Sequence, residues 1–415
     1  MMRPIRLSIL FLAALLMDTP TGYADTVLTG VTDAGAHYRI VVPDLWNGDL
    51  VIWNHGFSLS PIGPLDDQAS LAGLGPLAPL QLTQGYAVAA SSYQHTGWAL
   101  FKTSNDLRHL VNIFKENVAP PNQVLVNGAS MGGLVTAQSV ETANIDNLVG
   151  AYPVCGLVAG SRNVDMFMDL RLVYEVVCAE IPGAFIPGGA MGLPVDSPFT
   201  DEDIAIAANA CTGILIPEAL RTPGQQTRLA KILNEVSIPE TFLLPDLVRA
   251  TFGIHDLLHK MHGIPGVGNE GVSYNDPTID NIVQRIVPNP GAENRLKTHF
   301  TPTGGVGDIK IIALHTDKDG LVIVENEKAY AEVVPASNLT TAIVVEAVPS
   351  HCGFTEAEVV AGWEALRTWV AGGPQPTAAS IQGICTFLEG TGFGGPCRID
   401  PSFVIPDMDG RIHPR

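Results

Sequence analysis

The stretch QVLVNGASMGGLVTAQSVETA, residues 123–143, decides the fold. Its first part, Gln123–Asn127, is a short apolar run typical of a buried β-strand, and its last part has helical spacing up to about Ala143. Between them the letters GASMG fit the pattern G-x-S-x-G, with Ser130 at the centre. A strand before this pattern and a helix after it make it far more specific than the five letters alone. We therefore expect a sharp turn that presents the Ser130 hydroxyl above the edge of a sheet.

The glycines of this pattern have a steric explanation. The serine must sit on a turn so tight that its backbone is strained, and side chains at Gly128 and Gly132 would collide with the neighbouring strand and helix. Gly133 adds clearance. The amide of Met131, at the start of the helix, would point at an oxyanion forming on a carbonyl, with support from the helix dipole. The alternative is an ordinary glycine-rich turn.

A serine hydroxyl is a weak nucleophile and needs a general base. His351, in the sequence SHCGF after the last predicted strand, is the candidate base. The base needs an acid that fixes its tautomer, and Asp319, in HTDKDGLV after the preceding strand, is the candidate. Asp317 is the alternative acid, and a solvated turn is expected for whichever aspartate is not used. Each of the three residues thus follows the carboxyl end of a predicted strand.

A second oxyanion donor is expected from an early strand end. His55-Gly56-Phe57 follows the strand Asp49–Trp53, and the amide of Phe57 is the candidate donor. Gly56 allows a close approach of the backbone. The alternative is a simple turn with a surface histidine.

Strand-like and helix-like segments alternate on both sides of the elbow, which indicates an α/β protein with a mostly parallel sheet and helices on both faces. The predicted strands are Tyr38–Val42, Asp49–Trp53, Tyr86–Ala90, Gln123–Asn127, Leu148–Val154, Ile309–Leu314 and Ala342–Val348. The predicted helices are Asp106–Phe114, the segment ending near Ala143, Ile204–Ala210, Leu220–Val236, Leu244–Met261, Glu325–Val333 and Glu356–Val370.

The alternation is interrupted once. Residues 155–307 have little strand signal and are predicted to be a mostly helical cap, inserted before the strand that carries the acid. The core is then formed by residues 25–154 and 308–372, and residues 373–415 form a cysteine-containing tail packed on it. Apolar residues of the cap would either wall a pocket for a hydrophobic ester or pack its own core; they include Phe185, Ile186, Leu243, Leu244 and Phe252.

Taken together, these residues resemble the α/β-hydrolase superfamily, and specifically secreted serine esterases. The turn HGF, the elbow GASMG, the acid loop DGLV and the histidine loop HCGF carry the resemblance. HCG is similar to the histidine loop of feruloyl esterases and tannases, and prolyl-oligopeptidase-like enzymes share the core. The resemblance implies an α/β-hydrolase fold and ester hydrolysis through an acyl-enzyme, with no cofactor; no metal is expected either. In feruloyl esterases the cysteine after the histidine pairs with one before the serine; Ala129 stands there, so Cys352 would pair elsewhere.

The amino terminus predicts export. Arg3 and Arg6 precede an apolar run at residues 7–17, and small residues follow, so residues 1–24 fit a signal peptide cleaved after Ala24. We therefore expect a secreted or periplasmic protein, in which disulfides are permitted. The six cysteines allow 15 pairings. The preferred ones are Cys385–Cys397, Cys178–Cys211 and Cys155–Cys352.

The composition limits the partners. Forty-two acidic and 23 basic residues give a net charge of −19, which disfavours nucleic acid and anionic membrane surfaces as partners. The expected partner is a small-molecule or polymeric ester. An amidase or peptidase on the same fold is the main alternative, and a non-enzymatic binding module is a further one. A metal site at His255, His259 and His262 is disfavoured because the glutamate of H-E-x-x-H is absent.

Overall fold

A computed structural model describes residues 25–60 and 72–413. The predicted signal peptide lies outside the described residues. Eight strands form one sheet in the order β1-β2-β4-β3-β5-β6-β7-β8. The strands are β1 Thr26–Val31, β2 His37–Val42, β3 Leu50–Asn54, β4 Ala87–Ser91, β5 Val124–Ala129, β6 Leu148–Val154, β7 Lys310–Thr316 and β8 Leu339–Val344.

Most of the sheet is parallel. Strand β2 runs antiparallel to both β1 and β4, and every pairing from β4 through β3, β5, β6 and β7 to β8 is parallel. Because the carboxyl ends of parallel strands share one edge, the loops after β3, β5, β7 and β8 meet there. The predicted α/β fold with a mostly parallel sheet is confirmed.

Helices cover both faces of the sheet. The core helices are α1 Ala78–Thr83, α2 Thr103–Asn117, α3 Met131–Thr142, α11 Glu325–Val333, α12 Glu356–Val370 and α13 Ala378–Gly390. Alternate residues of β5 point to opposite faces, as strand geometry requires. Val124 and Val126 join the hydrophobic cluster that contains residues of α2 and α3, whereas Leu125 joins the cluster of α12 and α13.

The segment between β6 and β7 is helical, as the sequence predicts. Its helices are α4 Arg162–Cys178, α5 Asp201–Thr212, α6 Pro223–Val236, α7 Leu243–Val248, a π-helical turn Arg249–Gly253, α8 Ile254–Lys260, α9 Pro277–Ile282 and α10 Pro290–Phe300. Buried residues of this segment, including Leu243 and Phe252, belong to the same cluster as α2 and α3. The insertion therefore packs onto the core rather than forming a separate hydrophobic unit.

Several elements differ from the expectation. The helix predicted over Leu244–Met261 is divided by the π-helical turn, and the strand predicted to reach Val348 ends at Val344. The elements that were not predicted are the edge strand β1 and the helices α1, α4, α9, α10 and α13. The carboxyl-terminal tail contains α13, which packs against α12.

All three preferred disulfides are present: Cys155–Cys352, Cys178–Cys211 and Cys385–Cys397. Within the described part of the chain, no helix is both long and apolar enough to cross a bilayer.

Candidate active site

Ser130 lies on a strained turn between β5 and α3. Its φ of 59° and ψ of −127° place a non-glycine residue in a rarely populated region, which costs on the order of 1–3 kcal/mol. Its amide donates to the carbonyl of Val154 at 3.1 Å, and its carbonyl accepts from the amide of Gly133 at 2.9 Å. The start of α3 and the end of the neighbouring strand therefore hold this serine in its strained conformation.

The flanking glycines are required by close backbone approaches. A Cβ at Gly128 would stand 2.4 Å from the carbonyl oxygen of Gly132, and one at Gly132 would stand 2.0 Å from that of Asn54. A Cβ at Gly133 would stand 2.6 Å from the Cα of Gly156. The collisions expected from the sequence thus involve the neighbouring strand β3 and the helix itself.

The structure brings Ser130, His351 and Asp319 together at the carboxyl edge of the sheet. The Nε2 of His351 lies 2.9 Å from the Oγ of Ser130. The Nδ1 of His351 lies 2.6 Å from the Oδ2 of Asp319. These residues are remote in sequence, and the loops after β5, β7 and β8 supply one each. The arrangement has the geometry of a nucleophile, a base and an orienting acid.

Asp319 is buried, and its second carboxylate oxygen is also occupied. The Oδ1 atom accepts the amides of Leu321 at 2.9 Å and Val322 at 3.0 Å, and the residue is 1% exposed. A carboxylate that accepts two backbone amides cannot rotate freely, so its other oxygen stays directed at His351. Asp317, the alternative acid, instead accepts the amide of Glu346 at 2.8 Å.

Three contacts fix the loop that carries His351: hydrogen bonds to Glu346, a hydrogen bond from Arg398 and a disulfide. Both carboxylate oxygens of the buried Glu346 accept hydrogen bonds from Ser350. Arg398 donates to the carbonyl of Gly353 at 2.7 Å. Cys352 is bonded to Cys155, which directly follows β6, and its sulfur lies 3.5 Å from the Nε2 of His351. The disulfide therefore ties the histidine loop to the strand beside the elbow.

Burial raises the pKa of Glu346, and the charge of Asp319 acts in the same direction. The hydrogen bonds from Ser350 and the charge of Arg398 oppose this increase. Sequence reasoning did not identify Glu346. The available signal in the sequence was the position of Glu346, a single acidic residue directly after the apolar run of β8.

The loop after β3 borders the elbow. A Cβ at Gly56 would lie 3.4 Å from the Cβ of Ser130. The hydroxyl of Tyr93 donates to the carbonyl of His55 at 3.3 Å, and the ring of Phe57 packs on Trp98 with centroids 4.8 Å apart. Phe57 and Met131, the two predicted oxyanion donors, thus belong to segments that both adjoin Ser130.

The insertion contacts the loops of the site directly. Asn163 of α4 donates to the carbonyl of Leu321 at 3.0 Å, and a Cβ at Gly320 would lie 2.5 Å from the ring of Phe242. In the loop after β4, the indole of Trp98 donates to the carbonyl of Gly253 in the π-helical turn at 3.0 Å. The acid loop and the loop after β4 are therefore packed against the inserted helices.

Asp246 of α7 is an unusual member of this region. It is fully buried, and neither of its carboxylate oxygens has a hydrogen-bond partner among the described residues. Burial raises its pKa well above the ordinary value, Arg249 and Arg411 oppose that rise, and the charge of Asp319 adds to it. The sequence gives no signal for this residue.

Two further sequence features are the histidines at positions 255, 259 and 262 and the apolar residues of the insertion. The rings of His255 and His259 are stacked with centroids 6.5 Å apart, and no cluster suited to a metal occurs within residues 25–60 and 72–413. Of the apolar cap residues, Ile186, Leu243 and Phe252 are buried, whereas Phe185 is 78% exposed. Packing of the insertion explains the buried ones.

The strand order, the antiparallel second strand and the serine elbow after the fifth strand define an α/β-hydrolase fold. Similar solved structures include Candida antarctica lipase A in its closed state, with 14% identity and a TM-score of 0.46, covering 94% of this chain and 83% of the lipase. A variant of the rice cell wall degrading esterase LipA from Xanthomonas oryzae has 11% identity and a TM-score of 0.43, covering 84% and 88%.

The Pyrococcus furiosus esterase Pf2001 has 13% identity and a TM-score of 0.35, covering 79% of this chain and 82% of the esterase. No protein-family model matches the chain, and no curated protein matches it. At these values the similarities carry no information about individual residues, so the chemistry of the site rests on its geometry.

Proposed function

We propose that this protein is a serine hydrolase that cleaves carboxylic esters through an acyl-enzyme. The observation that carries the proposal is the continuous contact from Ser130 through His351 to Asp319, at 2.9 and 2.6 Å. Because Nδ1–H of His351 donates a hydrogen bond to the Asp319 carboxylate, the proton stays on Nδ1 and the lone pair of Nε2 faces the serine hydroxyl. That tautomer is the one a general base requires.

In the proposed reaction, Ser130 attacks the ester carbonyl while His351 takes its proton. The alkoxide leaves with that proton, and the acyl group stays on the serine oxygen. Water, deprotonated by His351, then attacks the acyl carbonyl; the bond to the Ser130 oxygen breaks, that oxygen takes the proton back from His351, and the acid is released. The amides of Met131 and Phe57 are the proposed oxyanion donors, since both belong to segments beside Ser130.

We infer that the protein is exported. The three disulfides support this inference, because disulfides persist in oxidising compartments and are rare in the cytosol. The predicted signal peptide agrees with it, and the medium or the periplasm is the proposed destination.

Replacing the nucleophile tests the proposal. Ser130→Ala should lower kcat for a p-nitrophenyl ester by about 10⁴- to 10⁶-fold, as removal of an attacking serine does elsewhere. Ser139→Ala is the matched control, since the hydroxyl of this buried serine of α3 donates to the carbonyl of Thr136 in its own helix. Turnover by Ser130→Ala close to wild type would reject the assignment.

The same assay decides the bond that is cleaved. A matched anilide should be hydrolysed far more slowly than the ester, because an amine is a poorer leaving group than a phenolate. Faster cleavage of the anilide would favour an amidase.

A further inference from the structure

A second histidine lies behind the acid of the triad, and the proposed reaction does not use it. His315, near the end of β7, is fully buried. Its Nε2 lies 2.8 Å from the carbonyl oxygen of Val322, and its Nδ1 lies 3.1 Å from Oε1 of Glu327. A carbonyl can only accept, so Nε2 carries a proton. A carboxylate oxygen of Glu327 faces Nδ1, and a second proton on that nitrogen would satisfy it.

His315 is in contact with the acid turn in two ways. Its Nε2 lies 3.9 Å from Oδ2 of Asp319, the same oxygen that His351 contacts. Val322 connects the two residues through its backbone, because its amide donates to Asp319 and its carbonyl accepts from His315. Movement of the His315 ring would therefore move the turn that orients Asp319.

The charges around His315 favour its protonated form. Burial alone would lower its pKa, but the hydrogen bond to Glu327 and the charges of Glu327 and Asp319 outweigh burial and raise it. These two carboxylates face the ring from α11 and from the acid turn. The further titratable or charged groups that interact with Asp319 are Glu346 after β8, Asp246 of α7 and Arg249 of the π-helical turn.

We propose that His315 is a positioning residue for Asp319: an imidazolium, anchored by Glu327, that fixes the acid turn through Val322 and offsets the buried negative charge of Asp319. This inference rests on the proposed function. It assigns to a residue outside the triad the task of keeping the acid ionised and directed at His351.

The proposal has a consequence for the pH profile. A positive charge near Asp319 opposes the uptake of a further proton by the His351–Asp319 pair. His315→Gln keeps a donor for the Val322 carbonyl but removes the charge, so a proton should bind to the pair more readily. The acid limb of the kcat/KM profile should then move upward by about one pH unit.

A loss of kcat should accompany the shift. Outer partners that orient metal-ligating histidines are typically worth about 10- to 100-fold, and we expect a fall in kcat of this size when His315→Gln removes the support of the acid turn. KM should change little, because His315 is buried behind the triad. A purely structural role would lower the amount of active enzyme without moving the pH profile.

His413→Gln is the matched control. His413 is also buried, its Nε2 lies 3.0 Å from the carbonyl oxygen of Glu235, and it packs on Tyr274 in the insertion. The same substitution there should leave the acid limb unchanged. Titration with a fluorophosphonate gives the fraction of active sites, so kcat is compared per labelled serine.

Nuclear magnetic resonance of wild-type protein labelled with ¹⁵N-histidine tests the protonation directly and does not depend on activity. Two slowly exchanging N–H signals should belong to one buried ring at pH 7, assigned by their loss in His315→Gln or, if that variant does not fold, by elimination with variants of the other buried histidines. A single N–H on His315, or an unmoved acid limb in His315→Gln, would overturn the proposal. If the wild-type protein does not react with the fluorophosphonate, the proposed function itself is rejected.

Discussion

The disulfide beside the proposed base permits a quantitative prediction. Cys155 and Cys352 are 197 residues apart, and the chain-entropy relation gives about 5 kcal/mol for closing a loop of that length. Cys178 and Cys211, in the insertion, are 33 residues apart, for which the same relation gives about 4 kcal/mol. Removing either bond should therefore lower the free energy of unfolding by similar amounts.

The effects on activity should differ strongly. The sulfur of Cys352 lies 3.5 Å from the His351 ring, and Cys155 directly follows the strand next to the elbow. A displacement of about 1 Å at a reacting group costs about 100-fold. We expect Cys155→Ala/Cys352→Ala to lower kcat by between about 10- and 100-fold, and Cys178→Ala/Cys211→Ala to change it less than about threefold.

Urea unfolding followed by circular dichroism measures the stabilities, and hydrolysis of a p-nitrophenyl ester well below the melting temperature measures kcat. The control pair separates general destabilisation from a local effect on His351. Equal loss of kcat in the two double variants, or full activity without the Cys155–Cys352 bond, would refute the role given to that bond.

Three further predictions follow from the structure. Asp319→Asn should lower kcat by about 10⁴-fold, whereas Asp317→Asn should change it by less than about tenfold; equal effects would remove Asp319 as the acid. Asp246→Asn should become more stable relative to wild type as the pH rises above about 4, because the raised pKa of Asp246 makes the folded wild-type protein hold a proton that the unfolded chain releases. Urea titrations should show the difference in the free energy of unfolding grow by at most about 1.4 kcal/mol per pH unit. A difference independent of pH would contradict this. Gly132→Ala should prevent stable folding, because its Cβ would lie 2.0 Å from a carbonyl oxygen. Gly383→Ala, which has open space around it in α13, should instead raise the free energy of unfolding by about 0.5–1 kcal/mol in thermal unfolding. A soluble and stable Gly132→Ala protein would contradict this prediction.

The elbow could be predicted because its chemistry is local. Gly128 and Gly132 stand at fixed offsets from Ser130, and the strand and helix around them follow from apolar periodicity. The residues next to Asp317 and Asp319 in the sequence do not determine which of the two contacts His351. The outcome depends on which turn amides each carboxylate accepts and on the position of a loop some 30 residues further along the chain.

The unpredicted helix α4 has a different explanation. Most of its residues are buried, among them Arg171 and Tyr174, so it has no polar face to produce a helical period. Strand β1 is the opposite case: it is an edge strand in which no residue is fully buried, so it has no alternation of buried apolar and exposed polar residues. Neither pattern distinguishes the element from a loop.

The supporting residues of the site could not be inferred from sequence. Asn163, His315 and Glu346 come from three different elements and act only through contacts made after folding. Their side chains are ordinary residues in the sequence, and burial gives them their effect. Sequence patterns therefore predict the groups proposed to react, and the structure reveals those that hold them.

Covalent trapping tests the central claim most directly. The wild-type protein should react with a fluorophosphonate at one site per chain, and mass spectrometry should place the label on the peptide that contains Ser130. Ser130→Ala should not be labelled, and Asp319→Asn should be labelled much more slowly. Ester hydrolysis that continues while Ser130 remains unlabelled, or a label on another serine, would contradict the proposed reaction.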